Sequence, residues 1–226
     1  MYPAIPESVE KVLSLVRAIN PALSHHLYLV GGAVRDILLG IEPLDFDFVF
    51  EGSANLFVKG KRRNLDNFKI TSKYFDSCSF NVEGRSINLS SARRDIYLNM
   101  KLIGIERAEI KEDLKRRDFT INAMALDHLG KLLDPLNGQE DLDKKILRNI
   151  SRKSFEEDPS RLIRACRYIR KLNLKPSKET EKEFWNSLRF ISPNDKRVIK
   201  EIERTNVKKL LNQEYFKAIK ALNLAL

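Results

Sequence analysis

Cysteine is scarce in this sequence of 226 residues, and its beginning lacks a long apolar run. The two cysteines, Cys78 and Cys166, are 88 positions apart and belong to no CxxC or Cys/His cluster. This spacing argues against a zinc site or a disulfide framework. The first 20 residues contain two prolines and two glutamates. We therefore expect neither a secretory signal nor a membrane span, and we expect a cytoplasmic protein.

Basic charge, in contrast, is abundant and unevenly spread. The net charge is +10. Residues 1–150 hold 22 Lys and Arg against 21 Asp and Glu, whereas residues 151–226 hold 19 against 10. Such an excess favours a polyanionic partner, most simply nucleic acid, although a lysine-rich bias of the whole proteome would give a similar count.

The hydrophobic pattern predicts an α+β fold, with a mixed β-sheet head over residues 1–146 and an all-helical neck over residues 147–226. Apolar composition of 42% is enough for a buried core. The pattern predicts helices over residues 7–19, 33–39 and 113–126, strands over 27–30 and 45–50, and a hairpin of 80–82 with 86–89 around Glu83-Gly84.

Two aspartates alternate with phenylalanines in the segment DFDFVF, residues 45–50. Residues i and i+2 of a strand share a face, so Asp45 and Asp47 are expected to project together while the phenylalanines pack behind them. Two such close anions favour a cation between them, and Mg²⁺ prefers oxygen ligands of this kind. The alternative is an ordinary solvated strand face.

Two adjacent glycines, Gly31 and Gly32, lie directly before the predicted helix 33–39, and Arg35 follows one turn later. Unpaired backbone N–H groups at a helix N-terminus attract anions, and glycine lets a phosphate approach the backbone closely. A glycine turn alone is more often only a turn. Together with Arg35 and the two aspartates, it has the parts of a metal–triphosphate site.

LVGGAVRDILLG followed by DFDF resembles the signature of the nucleotidyltransferase superfamily, specifically of the class II tRNA CCA-adding enzymes and the bacterial poly(A) polymerases similar to them. The resemblance implies a nucleotidyltransferase-type head. It also implies that Gly32 and Arg35 contact the incoming nucleotide and that Asp45 and Asp47 bind Mg²⁺. We therefore expect Gly31, Gly32 and Arg35 to seat the triphosphate, and Asp45 and Asp47 to be catalytic.

A second block, EDLKRRDFTINAMALD at residues 112–127, matches the RRDFTxNA motif of these enzymes. From the residues alone, Arg116-Arg117-Asp118 is a salt-bridged helix start before an apolar stripe. The resemblance implies that Arg117 touches the nucleotide and that the Asp118 region favours ribose over deoxyribose.

A third block, EEDPSRLIRACRYIRKL at residues 156–172, predicts a helix with Asp158 as its N-cap and Pro159 as its first residue. Four arginines recur at every third position. A row of like charge destabilises a helix unless an anion lies against it. The four are Arg161, Arg164, Arg167 and Arg170.

This block also resembles the EDxxR motif, whose Asp and Arg pair with the nucleotide base in the family. A carboxylate accepts from the exocyclic amine of cytosine or adenine, and a guanidinium donates to the ring nitrogen, whereas uracil and guanine present the reverse pattern. The resemblance therefore implies that Asp158 and Arg161 select CTP and ATP. Arg164 and Arg167 are expected to reach the phosphates or to support that pair.

Three further features qualify the resemblance. Arg197 and Glu201 resemble an ERxxxEL motif, although an i, i+4 pair is usually a surface salt bridge, which we take as the stronger interpretation. Asn88 stands where the superfamily commonly has a third acidic residue. The resemblance covers residues 27–205, and the family's enzymes continue into a helical body and tail, which we expect either to be dispensable or to be supplied by another chain.

These features predict a Mg²⁺-dependent RNA 3′-terminal nucleotidyltransferase that adds C, A or both to the acceptor end of tRNA. Within the same class, the alternatives are a poly(A) polymerase and an enzyme that adds only CC or only A. A truncated RNA-binding paralogue and a small-molecule nucleotidyltransferase are alternatives of other kinds; the second would not need the arginine helix.

Overall fold

The computed structural model describes residues 3–192 and 194–205, so the predicted neck beyond residue 205 lies outside the described residues. The strands are β1 (Leu27–Val30), β2 (Asp45–Phe50), β3 (Asp66–Ser72), β4 (Ser77–Val82), β5 (Arg85–Ser91), β6 (Arg93–Leu98), β7 (Lys101–Arg107), β8 (Ala125–Leu126), β9 (Leu132–Leu133), β10 (Ile146–Leu147) and β11 (Lys175–Pro176). The α-helices are α1 (Glu7–Ala18), α2 (Gly32–Leu38), α3 (Ala54–Phe57), α4 (Ile110–Lys115), α5 (Gly138–Asp143), α6 (Ser154–Glu157), α7 (Ser160–Lys171), α8 (Lys178–Ser187) and α9 (Lys196–Arg204).

The chain forms two compact units. The first comprises residues up to Ile96 with Gly104–Arg117 and Ile121–Gln139, and the second comprises Tyr97–Ile103, Asp118–Thr120 and the residues from Glu140 onward. The continuous part of the second unit begins at Glu140, six residues before the predicted end of the head at residue 146. The assignment of residues 1–146 as head and 147–226 as neck stays a prediction.

A seven-stranded mixed sheet forms the centre of the first unit. Its strand order is β3-β4-β5-β2-β1-β8-β9. Strands β2 and β5 pair in parallel, and the other neighbours pair antiparallel. One face of the sheet is apolar: Phe46 and Phe48 of β2, Phe80 of β4 and Leu89 of β5 are all buried. Full burial of each side chain contributes about 1.5–3 kcal/mol.

Several predicted elements are confirmed. Helix α1 follows Pro6 and buries Val9, Val12, Leu13 and Val16, a stripe of helical spacing, with two glutamates in its first turn where the helix dipole favours them. Strands β4 and β5 form the predicted hairpin. Glu83 and Gly84 both have positive φ, the geometry of a tight two-residue hairpin turn.

The predicted helix over residues 113–126 is wrong. Helix α4 ends at Lys115, and residues 125–126 form β8, which pairs with β1. The apolar residues of this stretch are completely buried on every side, so the segment has no solvated face on which a helix could place polar residues. Pairing with β1 satisfies the backbone of Ala125 and Leu126 instead.

The second unit is largely helical, as predicted, and its helices α6–α9 surround a core that includes Phe155, Leu162, Phe184 and Val198. It is not all-helical, because β10 and β11 pair in parallel. The α+β class is confirmed by the mixed sheet and these helices. None of the helices in residues 3–192 and 194–205 is long and apolar enough to span a membrane.

Candidate active site

The two aspartates of β2 share one face of the strand. Asp45 and Asp47 are exposed, whereas Phe46 and Phe48 between and after them are 1% and 2% exposed. The alternation of the sequence is therefore expressed in the fold, and the sheet core fixes the strand beneath both carboxylates.

Asn88 of β5 lies directly opposite Asp47 in the parallel register of β2 and β5. Its side-chain amide donates a hydrogen bond to Asp47 Oδ1 over 3.0 Å. The residue that the resemblance assigns to a commonly acidic position thus lies beside Asp47. A neutral amide holds the orientation of Asp47 without adding a further negative charge.

Gly31 lies at the junction of β1 and α2, next to these carboxylates. Its φ of +74° is in the left-handed region that favours glycine. A Cβ at this position would lie 2.9 Å from Nη1 of Arg117 and 4.0 Å from Oδ2 of Asp47. The absence of a side chain therefore allows the backbone, Arg117 and Asp47 to meet at one place.

Arg117 is held there by Asp113 of α4, a carboxylate with no solvent exposure. Arg117 Nη2 donates to Asp113 Oδ2 over 3.1 Å, and Arg116 donates through Nε and Nη2 to Oδ1 over 2.9 and 2.7 Å. Burial alone would raise the pKa of Asp113, but the charges and hydrogen bonds of Arg117 and Arg116 more than offset it, so the pKa lies below its usual value. The motif pointed to the arginines and not to Asp113, although the spacing of Asp113 from Arg116 (i, i+3) and Arg117 (i, i+4) is visible in the sequence.

Arg35 is buried beneath the glycine turn. It donates to Asp36 Oδ1 through Nε and Nη2 over 2.9 and 2.7 Å, and to Asn122 Oδ1 through Nη1 over 2.6 Å. Its Nη2 lies 3.4 Å from where a Cβ of Gly32 would be. The guanidinium therefore ties α2 to the RRDFTINA segment, and a contact of Arg35 with the nucleotide stays a prediction.

The donor chemistry of the site fits magnesium only in part. Among residues 3–192 and 194–205, no group of three or more His, Cys, Asp or Glu side chains is arranged to hold a metal ion. Mg²⁺, however, is commonly held by one or two carboxylates together with substrate phosphates and water. The exposed pair Asp45 and Asp47 fits a magnesium ion whose coordination is completed by a triphosphate.

In the second unit, Asp158 lies among three arginines. Its carboxylate is 3.3 Å from Arg164 Nη2, 3.9 Å from Arg161 Nε and 3.7 Å from Arg197 Nη1. It also accepts from the backbone N–H and the hydroxyl of Ser160. Helix α7 begins at Ser160, so its N-cap is Pro159 and not the predicted Asp158. The Asp158 carboxylate nevertheless accepts the N–H of Ser160, the first helical residue.

Three of the four arginines of α7 have polar partners within the same unit. Arg161 is buried and donates to Ser154 Oγ over 2.8 Å. Arg164 lies 3.5 Å from Asp118, and Arg167 forms an ion pair with Glu201. Burial lowers the pKa of Arg164, but the negative charges of Asp118 and Asp158 raise it by more, so the pKa lies above its usual value. The anions that lie against this part of the row are thus carboxylates of the fold, and a contact of Arg164 or Arg167 with phosphates stays a prediction.

The predicted surface pair of Arg197 with Glu201 is also wrong. Arg197 pairs with Asp195 and donates through Nη1 to the Glu157 carbonyl over 3.1 Å. Glu201 is 6% exposed and binds Arg167 of α7 instead. The helical spacing predicted a neighbour on α9, whereas the buried side of α9 faces α7.

Residues 27–148 match the family described as the poly A polymerase head domain. The chain belongs to this family. The prediction from the glycine, DFDF and RRDFTINA motifs is thereby confirmed at the level of the family, whereas the individual residue roles stay predictions.

This chain has relatives named A-adding tRNA nucleotidyltransferase and multifunctional CCA protein. It is 42% identical over 160 residues to the A-adding tRNA nucleotidyltransferase of Aquifex aeolicus (strain VF5), covering 69% of this chain and 19% of that protein. It is 38% identical over 156 residues to the multifunctional CCA protein of Nitrosococcus oceani, covering 68% of this chain and 37% of that protein.

The fold is similar to that of the Thermotoga maritima CCA-adding enzyme complexed with tRNA_CCA, with a TM-score of 0.74 and 29% identity. That match covers 97% of this chain and 51% of the other. The head-domain protein therefore spans between a fifth and a half of the length of these three proteins.

Proposed function

We propose that this chain carries the catalytic part of an RNA 3′-terminal nucleotidyltransferase that adds C, A or both to the 3′ ends of tRNA. The carrying observation is the exposed pair Asp45 and Asp47 beside Gly31 and Arg117, in a chain of the head-domain family. The named activities of the relatives support the same reaction class.

The proposed reaction joins the RNA 3′-hydroxyl oxygen to the α-phosphorus of CTP or ATP and breaks the bond between that phosphorus and the oxygen that leaves with diphosphate. Asp45 and Asp47 would hold Mg²⁺, which supplies positive charge to polarise the phosphate when it is bound. Gly31 and Gly32 give the triphosphate close access to the backbone. Arg117 offers it a cation that Asp113 holds in place, and Arg35 supports the turn from below.

Asp158 and Arg161 are proposed to select the base. The Asp158 carboxylate would accept from the exocyclic amine of cytosine or adenine, and Arg161 would donate to the ring nitrogen. Uracil and guanine would place a carbonyl against the Asp158 carboxylate and a ring N–H against the Arg161 guanidinium. Each buried group left without a hydrogen bond would weaken binding by a few kcal/mol.

The test is incubation of the purified chain with Mg²⁺ and each of the four labelled nucleoside triphosphates, using tRNAs that end before CCA, after C and after CC. We expect incorporation of C or A and none of U or G, with loss of activity in Asp45→Ala. Asp143→Ala, an exposed aspartate of α5, is the matched control. The acceptor that is extended distinguishes CCA, CC-only and A-only addition, and unlimited A addition would indicate a poly(A) polymerase.

The hydrogen bond from Asn88 to Asp47 favours a second candidate, an RNA-binding paralogue of weak activity. A third carboxylate at this position would add a ligand or a base, which an amide does not supply. Asn88→Asp separates the two: a large gain in incorporation from a very slow wild type would support the paralogue, and a fast wild type would exclude it.

A further inference from the structure

The open face of the sheet carries a strip of short polar side chains that none of the motifs describes. Strand β4 presents Ser77, Ser79 and Asn81, and β5 presents Ser86, Asn88 and Ser90, alternating with buried apolar residues. The register places Asp45 and Asp47 on this same face. On the sheet face that holds the carboxylate pair, the two neighbouring strands β5 and β4 therefore carry serine and asparagine side chains.

The register also shows where this strip leads. One row across the four strands joins Asp47 to Asn88, Ser79 and Lys69. At ~4.8 Å per strand, the row extends about 14 Å from the carboxylate pair to β3 at the edge of the sheet. An open cavity of about 440 Å³ lies along it, lined by Lys69, Ser79, Asn81 and Ser86 among others.

The edge of the sheet is where the basic charge of the first unit is concentrated. Residues 59–69 contain five Lys or Arg and one Asp, whereas the remainder of residues 1–150 has 17 Lys and Arg against 20 Asp and Glu. Lys59, Lys61, Arg63 and Lys69 are exposed, and no ion pair joins them to another described residue. This segment runs directly into β3.

We propose that this groove binds the 3′-terminal strand of the acceptor RNA and leads its last nucleotide to Asp45 and Asp47. The proposal rests on the proposed function for the identity of the acceptor. An RNA strand fits the charge gradient: its uncharged 3′-hydroxyl would lie at the acidic end, and its phosphates would lie toward the lysines. Serine and asparagine both donate and accept hydrogen bonds, as a ribose 2′-hydroxyl requires.

The first test is direct binding, which needs no catalysis. The dissociation constant of a tRNA lacking CCA would be measured by fluorescence anisotropy for wild type, Lys69→Glu and the triple variant Lys61→Glu/Arg63→Glu/Lys69→Glu. We expect at least fivefold weaker binding for Lys69→Glu and a further loss for the triple variant. The plot of log affinity against log salt should become shallower by roughly 0.7 for each lost phosphate contact to a single strand. Lys131→Glu, an exposed lysine beside the opposite edge strand β9, is the control.

The second test compares Michaelis constants. Lys69→Glu should raise KM for the RNA and leave KM for CTP and ATP unchanged, and Asp66→Asn should lower KM for the RNA. A rise in KM for the nucleotide alone would place Lys69 in the triphosphate site and overturn the proposal. If Lys131→Glu weakened RNA binding as much as Lys69→Glu does, the loss would reflect net charge alone. That result would also overturn the proposal. Equal affinity for a deoxyribonucleotide strand would contradict the role given to the 2′-hydroxyl.

A third test locates the strand. Cys78 and Cys166 are 1% and 0% exposed, and burial raises their pKa to about 11 and about 12, so a new surface cysteine can be labelled selectively. A photo-crosslinker on Asn81→Cys should react with the 3′-terminal nucleotides, and the same group on the control Leu129→Cys should not. Crosslinking without any nucleotide incorporation would keep the groove and reject the enzymatic function. Incorporation without crosslinking at Asn81 would keep the enzyme and reject the groove.

Discussion

The aspartate pair of strand β2 in the first unit and the carboxylates around helix α7 in the second unit differ in how far arginines compensate their charge. In the first unit, Asp45 and Asp47 stay exposed on a strand face, and Asp47 accepts a hydrogen bond from the neutral amide of Asn88. In the second unit, Asp158 lies within 4 Å of three arginines, and Glu201 is buried against a fourth. Charge that is left uncompensated at a surface is available to a ligand, whereas charge that is compensated inside the fold organises the protein.

The largest contrast should appear in activity. Asp47→Ala removes an exposed carboxylate, so we expect the incorporation rate to fall about 10³-fold, the order of effect of losing one preorganised charge in a reaction centre. The free energy of unfolding should change by no more than ~0.5 kcal/mol, because the side chain is exposed and its hydrogen bond from Asn88 lies at the surface. Single-turnover kinetics and urea unfolding measure the two effects. A stability loss as large as the activity loss would contradict the comparison.

Asp113 is a carboxylate of the first unit that is buried against arginines, as Glu201 is in the second unit. Asp113→Ala would leave Arg116 and Arg117 without their shared carboxylate, and we expect a loss of about 3–5 kcal/mol in the free energy of unfolding. Urea denaturation measures it. Glu112→Ala, whose exposed side chain pairs with Lys115, is the matched control and should change stability by less than ~0.5 kcal/mol.

The lowered pKa of Asp113 sets a pH dependence with a definite sign. A carboxyl whose pKa is lower in the folded state contributes stability above its unfolded pKa of about 3.9 and loses it as pH falls through the folded value. The free energy of unfolding of the wild type should therefore decrease on acidification below about pH 4. Asp113→Asn should show a smaller decrease in urea titrations between pH 2.5 and 7, values chosen to bracket that range. An equal decrease in both proteins would assign the acid sensitivity to other groups.

Glu201 tests the compensated charges of the second unit. Glu201→Gln deprives Arg167 of its partner, and we expect a loss of about 2 kcal/mol, below the range for fully buried pairs because Arg167 is partly exposed. Glu203→Gln on the exposed side of the same helix should lose less than ~0.5 kcal/mol. If both variants lost the same, the pair between α7 and α9 would not stabilise the unit.

A final pair of variants separates backbone strain from a local collision. Gly31→Ala and Gly40→Ala both force alanine into positive φ, at roughly 1–2 kcal/mol each. Only a Cβ at Gly31 meets a side chain, Arg117 Nη1, whereas nothing lies within 4 Å of one at Gly40. Thermal or urea unfolding should give similar losses for both, and KM for the nucleotide should rise only for Gly31→Ala. A rise in both would show that strain alone disturbs the site.

Much of the first unit could be predicted from the sequence because its signals are local. The period-2 pattern of residues 45–50 and the Glu83-Gly84 turn each describe a neighbouring stretch of chain, and both are confirmed. The run from Phe119 to Leu126 was wrongly predicted as helix, because a completely buried apolar segment has the same composition in a helix and in a strand.

The partners of charged residues were the least predictable part of the site. The helical spacing of Arg197 and Glu201 is compatible with a local pair, but the fold brings Glu201 to Arg167, which is distant in sequence. The arginine row of α7 likewise gave no indication that Asp118 and Glu201 would neutralise it. Ion pairs between separate elements depend on packing, which a single sequence does not display.

The most direct test of the contrast compares Asp47→Ala and Asp158→Ala in single-turnover incorporation from all four nucleoside triphosphates. We expect Asp47→Ala to slow incorporation of every nucleotide and to leave the ratio of the C or A rate to the U or G rate unchanged wherever a rate is measurable. We expect Asp158→Ala to retain incorporation and to lower that ratio by about 10²-fold or more. A variant of Asp158 that keeps the full preference, or one of Asp47 that keeps the full rate, would contradict it.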